Sequence, residues 1–244
     1  MSIHTKEKKV LLQATDLNAG YGFLQILRDV SFHVNKGEYV CLVGPNGAGK
    51  STTLKILAGM LKPMSGSVNF QGENIIGLPG NKVHRLGISY ISEGLDLFQS
   101  MSVKENLAMG AYTVKDKGVV EQRLEFVYEL FPKLKEREKQ LSGTMSGGER
   151  KMLAIGRGMM SDPSLILVDE PSMGLSPEMT NAVFNALGVL NEKGVTILLV
   201  EQNVTKSFKV SQRGYVLEHG KIVLQAPCTE LAENAHVRKV FLGV

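Results

Sequence analysis

The run Tyr39-Val40-Cys41-Leu42-Val43, followed at once by Gly44-Pro45-Asn46-Gly47-Ala48-Gly49-Lys50-Ser51, constrains this chain more than any other stretch. Five apolar residues in a row, closed by glycine, fit a strand buried on both faces, as in the middle of a parallel sheet. The octet after it fits the phosphate-binding pattern G-x-x-x-x-G-K-[ST]. Ser51 to Met60 then continues as a helix. Strand, glycine-rich turn and helix in that order aim main-chain N–H groups at an anion. Gly44, Pro45, Asn46, Gly47, Ala48, Gly49, Lys50, Ser51 and Thr52 are the expected phosphate cradle. Lys50 would meet the β- and γ-phosphates, and the Ser51 hydroxyl would ligate Mg²⁺.

A second apolar run, Leu165-Ile166-Leu167-Val168, ends in Asp169-Glu170. Open α/β sheets place ligands at the carboxyl ends of their strands, which is where these two acids fall. Asp169 is expected to hold Mg²⁺ through water and Glu170 to act as general base toward the attacking water. Between the two runs lies Met145-Ser146-Gly147-Gly148-Glu149-Arg150, a second glycine-rich turn opening a helix from Glu149 to Met160. A helix start of this kind can hold a further phosphate.

The remaining pattern is that of a nucleotide-binding α/β core with an inserted helical lobe. Val10 to Leu12 and Val30 to Val34 are expected strands around a polar turn, with Val68 to Gln71 and Ile88 to Ile91 as further short strands. Helical spacing runs from Val103 to about Arg137, with Leu134 to Lys139 a solvated, charge-rich connector. A helix from Met179 to Asn191 precedes a buried strand from Thr196 to Val200, and a hairpin of Tyr215 to Leu217 with Lys221 to Leu224 leads to a helix from Thr229. No internal repeat appears and there is one phosphate loop, so the 244 residues are expected to form one ATPase domain, with the lobe at about 95–160.

Composition narrows the class. Hydrophobic content is 43% and charged content 21%, and no stretch approaches the ~18 apolar residues of a membrane helix. Met1 to Lys9 is polar and charged, unlike a signal peptide, which points to the cytoplasm. The net charge of +4 is scattered, with no block of the kind that tracks nucleic acid. Cys41 and Cys228 lack metal-ligand spacing and are expected to be reduced thiols that pack.

The order and spacing of these motifs resemble the ATP-binding-cassette (ABC) ATPases throughout the chain. The resemblance implies a P-loop core with an N-terminal antiparallel β-subdomain and an α-helical lobe. It implies a head-to-tail dimer in which Ser146, Gly147, Gly148 and Glu149 complete the site of a second ATPase subunit, with Tyr21 stacking on adenine. Three positions depart from the family's usual chemistry: Glu93 stands for glutamine, Gln202 for histidine and Ser176 for aspartate. Glu93 can still bind Mg²⁺, whereas Gln202 donates a hydrogen bond without charge, so turnover is expected to be slow or to depend on an unlike partner.

The same departures, with Glu93-Gly94, Asp169-Glu170-Pro171-Ser172 and Val200-Glu201-Gln202-Asn203 together, resemble the shorter ATPase subunit of branched-chain amino acid importers. Met101 to Leu107, Gly110-Ala111-Tyr112 and the ending Val237 to Gly243 look like that subunit too, although Ser92, Leu95 and Arg150 differ from it. The implied partners are a second ABC ATPase subunit, two transmembrane permease subunits and, indirectly, an extracytoplasmic solute-binding protein. The implied place is the cytoplasmic face of the cell membrane. Leu95, Leu97, Phe98 and Met101 fit either a permease-docking surface or the lobe's own core. A urea or amide importer, or a non-transport ABC ATPase acting on nucleic acid, remains the alternative.

Overall fold

A computed structural model describes residues 9–242. The chain opens with a long antiparallel hairpin, β1 (Val10–Tyr21) and β2 (Leu24–Asn35), turning at Gly22-Phe23. Both strands are far longer than the apolar runs at Val10 and Val30 foretold. Asp16 and Asp29 sit at φ 48° and 52° beside shifts in register, and these bulges break the alternation that marks a strand. Tyr21 is therefore the last residue of β1 and not a loop residue.

β3 (Tyr39–Val43) runs into the phosphate loop and α1 (Lys50–Leu57). β4 (Ser65–Phe70) and β5 (Glu73–Asn74) extend the hairpin into a sheet of order β2-β1-β4-β5. α2 (Gly80–Arg85), unexpected from the sequence, precedes β6 (Ile88–Ile91). Four helices then form the lobe: α3 (Val103–Gly110), α4 (Lys117–Leu130), α5 (Pro132–Glu136) and α6 (Gly147–Met159). The expected solvated connector at Leu134 to Lys139 is corrected here. Pro132 starts α5, and Leu134 is fully buried against the lobe core.

β7 (Leu165–Asp169), α7 (Pro177–Glu192), β8 (Thr196–Glu201), α8 (Val204–Val210), β9 (Arg213–Glu218) and β10 (Lys221–Pro227) complete the core. α9 (Cys228–Glu233) and α10 (Ala235–Val237) follow. The main sheet has the order β10-β9-β3-β8-β7-β6, parallel except for β10. Every residue of β3, β7 and β8 is buried. Their side chains alternate between two cores, with Cys41, Ile166 and Leu199 facing the helical lobe and Leu42, Leu167 and Leu198 facing the antiparallel sheet and α1.

The register decides where chemistry can occur. Val43 pairs with Glu201 and Asp169 with Val200, so three strands end at one edge. Gly44, Asp169-Glu170 and Glu201-Gln202 meet there. Cys41 and Cys228 are free, buried thiols whose sulfurs lie 3.8 Å apart. The polar segment at Met1 to Lys9 falls, except for Lys9, outside the described residues.

Candidate functional site

The phosphate loop is shaped by its own lysine. Lys50 is 4% exposed, and its ammonium donates to the carbonyls of Gly44 at 3.0 Å and Pro45 at 3.2 Å. It also pairs with the Glu170 carboxylate at 3.3 Å. Gly49 caps α1 at φ 109°, and a Cβ there would strike the Leu27 side chain. Any residue but glycine is both strained and crowded at this point.

The acidic strand end lies across from the loop. The Ser51 hydroxyl donates to Asp169 Oδ1 at 3.0 Å, and the Tyr90 hydroxyl donates to Oδ2 at 3.0 Å. Burial lifts the Asp169 pKa; the two hydroxyl bonds oppose the rise, and Glu170 and Glu93 add to it. A buried carboxylate raised by its neighbours favours a cation beside it. Ser51, Glu93 and Asp169 share the wall of one cavity, a donor set of hydroxyl and carboxylate oxygens that suits Mg²⁺ completed by water and phosphate. Among the described residues no three His, Cys, Asp or Glu side chains form an ion site by themselves.

Glu170 has φ 45°, a left-handed conformation that costs a side-chain-bearing residue about 1–2 kcal/mol. Its N–H donates to Val200 O at 2.9 Å and its carbonyl accepts from Lys151 Nζ at 2.9 Å. Glu201, 2% exposed, gathers the flanking loops by accepting from the N–H groups of Ser172, Gln202 and Asn203 at 2.8, 3.1 and 3.2 Å. The result is a cleft of about 400 Å³ lined by Asn46, Gly47, Lys50, Ser51, Glu93, Glu170 and Gln202, with Ile26 and Met173. Residues far apart in the chain thus converge on one open pocket.

Tyr21 and the turn at Ser146, both expected to meet nucleotide, lie outside that lining. Tyr21 is 48% exposed at the hairpin tip. Ser146, Gly147 and Gly148 open α6, with Ser146 and Gly147 exposed. Ser146 and Glu149 form a reciprocal cap. Glu149 Oε2 accepts from Ser146 N at 3.0 Å and from its hydroxyl at 2.9 Å, and Glu149 N donates back to Ser146 Oγ at 3.4 Å. Glu149 Oε1 pairs with Arg137 at 3.1 Å. Both carboxylate oxygens of Glu149 therefore hold the turn. Ser176 likewise caps α7, accepting from Met179 N at 3.3 Å.

Tyr90, Lys151 and Glu201 were not singled out from the sequence. Each is a polar residue set in or beside an apolar run, and that interruption was the available signal. A second groove, of about 350 Å³, lies between core and lobe and is lined by Tyr90, Leu95, Phe98, Met109, Tyr112 and Arg157. Leu95 and Leu97 pack on the lobe core, whereas Phe98 is 45% exposed beneath the Arg157 guanidinium. Arg157 also donates to the carbonyls of Leu95 at 2.9 Å and Asp96 at 2.6 Å.

Residues 27–173 match the family described as ABC transporter. The chain is 46% identical to the high-affinity branched-chain amino acid transport ATP-binding protein BraG of Pseudomonas aeruginosa, covering 96% of this chain and 100% of that one. It is 37% identical to the probable branched-chain amino acid transport ATP-binding protein LivF of Archaeoglobus fulgidus, over 96% and 99%. With the lipopolysaccharide export ATP-binding protein LptB of Escherichia coli K12 the identity is 32%, over 95% and 97%. Among solved structures, an ATP-binding cassette of an ABC transporter in its ADP conformation superposes with a TM-score of 0.84 at 27% identity, over 96% and 99% of the two chains.

Proposed function

The chain belongs to the ABC transporter family as an ATP-binding, ATP-hydrolysing cassette subunit, and from that premise we propose that it energises an importer of branched-chain, hydrophobic amino acids. The observation that supports the solute class most is the near-full-length identity to BraG, well above that to LptB. LptB, a cassette of similar length, serves lipopolysaccharide export. Solute choice lies with the partners.

The geometry supports a role for each residue of the site. The main-chain N–H groups between Gly44 and Thr52, Pro45 having none, bind the β- and γ-phosphates of ATP together with the Lys50 ammonium. Tyr21 offers its exposed ring to the adenine, a stack worth ~1–3 kcal/mol. Ser51, Asp169 and Glu93 would hold Mg²⁺, which supplies positive charge against the phosphate oxygens when bound. Glu170 takes the proton of the attacking water, its carboxylate held over the phosphate loop by Lys50 at 3.3 Å. Gln202, which lines the same cleft, donates a neutral hydrogen bond toward the terminal phosphate.

Ser146, Gly147 and Gly148 complete the nucleotide site of a second cassette in a head-to-tail pair, with Glu149 stiffening the turn. The groove beside Phe98, Met109 and Tyr112 receives a cytoplasmic segment of a permease subunit. No described helix is long and apolar enough to cross a membrane, so attachment to the bilayer would run through that contact. An extracytoplasmic binding protein would deliver the solute.

The test is reconstitution of the chain with its cognate permease and second cassette in lipid vesicles. Leucine-loaded binding protein is expected to raise ATP hydrolysis and drive leucine uptake. Stimulation by urea or an amide instead of leucine would replace the solute assignment and keep the rest.

A further inference from the structure

Lys151 lies in the second turn of α6, beyond the glycine pair, and is 6% exposed. Its ammonium donates to the main-chain carbonyl of Glu170 at 2.9 Å. Burial lowers its pKa, while Glu201, Glu93, Asp169 and Glu170 oppose the fall, so it sits in a pocket of negative charge. Buried lysines are expensive unless their charge is matched and their donors are used. Here the opposing charge comes from the carboxylates of the cleft, and one donor is spent on the Glu170 carbonyl.

That carbonyl belongs to the residue with the least conventional backbone in the cleft. Glu170 is held at φ 45° by three bonds to its main chain: its N–H donates to Val200 O in β8, and its C=O accepts from Lys151 Nζ in α6 and, at 3.2 Å, from Met173 N. A left-handed conformation persists where its surroundings fix it. Without the lysine, the shorter of the two bonds to the carbonyl is gone, and only the Met173 N–H of the following turn still holds it.

We propose that Lys151 is a positioning residue for Glu170: it clamps the Glu170 carbonyl, so aims the carboxylate into the cleft, and ties that aim to α6. The clamp joins two halves of the chemistry. α6 begins at the turn facing the second nucleotide, and its second turn grips the general base of its own site. The inference rests on the reading of Glu170 as that base.

The experiment compares full-length wild type, Lys151→Met, Lys151→Arg and Glu170→Gln. It reads ATP turnover, affinity for a fluorescent ATP analogue, and amide exchange across residues 165–180. In Lys151→Met, kcat is expected to fall about 10²-fold, the scale of a 1 Å misplacement, with analogue affinity unchanged. Exchange should rise at residues 170–176 and not along α6. Lys151→Arg, which keeps charge and donors, should restore both readings in part. Wild-type kcat with unchanged exchange in Lys151→Met would overturn the clamp. If Lys151→Met fails to fold, Lys151→Gln takes its place, with the same readings and the same overturning result. Glu170→Gln at wild-type turnover would instead overturn the general-base reading, leaving the exchange data to judge the clamp alone.

Discussion

Two glycine-rich turns open two helices in this protein, and they differ in what faces them. The turn before α1, although exposed at Pro45, Asn46 and Gly47, is enclosed by side chains of its own subunit: Lys50 is buried among its own loop carbonyls and paired with Glu170, and Glu93 and Gln202 share its cleft. The turn before α6 is bare: Ser146 and Gly147 are exposed, and the polar groups around them serve the helix cap. Under the proposed function, the first is a phosphate site that carries its own catalytic groups. The second is a helix start that serves the site of a partner cassette.

Removing the charge from the enclosed turn should have the largest effect. Lys50→Ala takes away the cation meant for the phosphates and leaves Glu170 without its ion-pair partner. Turnover is expected to fall at least ~10²–10³-fold, with nucleotide affinity falling too, by analogy with deleting a preorganised electrostatic donor. Retained affinity and rate would erase the contrast between the turns.

Next is Gly147→Asp in the bare turn. A Cβ at Gly147 meets nothing within 4 Å, and a carboxylate suits a helix N-terminus, so the melting temperature should hold. Affinity for ATP in the subunit's own cleft should also hold. Turnover should drop at least about tenfold through repulsion of the partner's phosphate, a like-charge contact costing several kcal/mol. Gly148→Ala makes the opposite case: its methyl would collide with Met179, and a loss of ~1–3 kcal/mol in stability is expected on denaturant titration.

Gln202→His sharpens the comparison from the enclosed side. A histidinium could make a charge-assisted bond where glutamine makes a neutral one. A difference of about 1.4 kcal/mol would raise turnover about tenfold. A fall in rate would show that glutamine is matched to this cleft.

The smallest effect concerns acid. Burial opposes ionisation of Glu149, but the Ser146 amide and hydroxyl, with Arg137 and Lys133, hold its pKa below 4.5. A lowered carboxyl contributes stability that is fully present above its unfolded pKa and is lost as pH falls through the folded value. The melting temperature should therefore decline below about pH 4.5 more steeply in wild type than in Glu149→Gln. Parallel profiles would mean the cap is not held by the charged form.

Much of this was legible in the sequence because the informative residues are contiguous. Tyr39 to Ser51 and Leu165 to Glu170 each carry strand and chemistry in one stretch, and a fully buried strand is an unbroken apolar run. The helices α2 and α8 were missed because six and seven residues of mixed polarity carry too little periodicity. The hairpin was cut short by Asp16 and Asp29, which interrupt the alternation where the strands bulge. The cap made by Glu149 was not legible, since a carboxylate after Gly147-Gly148 reads equally as a ligand contact or a cap until the fold brings Arg137 beside it. Lys151, Tyr90 and Glu201 could not be tied to the cleft from spacing. Their bonds to Glu170, Asp169 and the loop N–H groups cross between strands and helices that meet only in the fold.

The most direct test of the shared site is sedimentation of Glu170→Gln with MgATP, alone and with its second cassette subunit. With hydrolysis blocked, ATP should draw two cassettes into a pair holding two nucleotides. ADP should not do so, and Gly147→Asp should abolish the pair. A chain that binds ATP fully in its own cleft yet stays single in both mixtures would contradict the account.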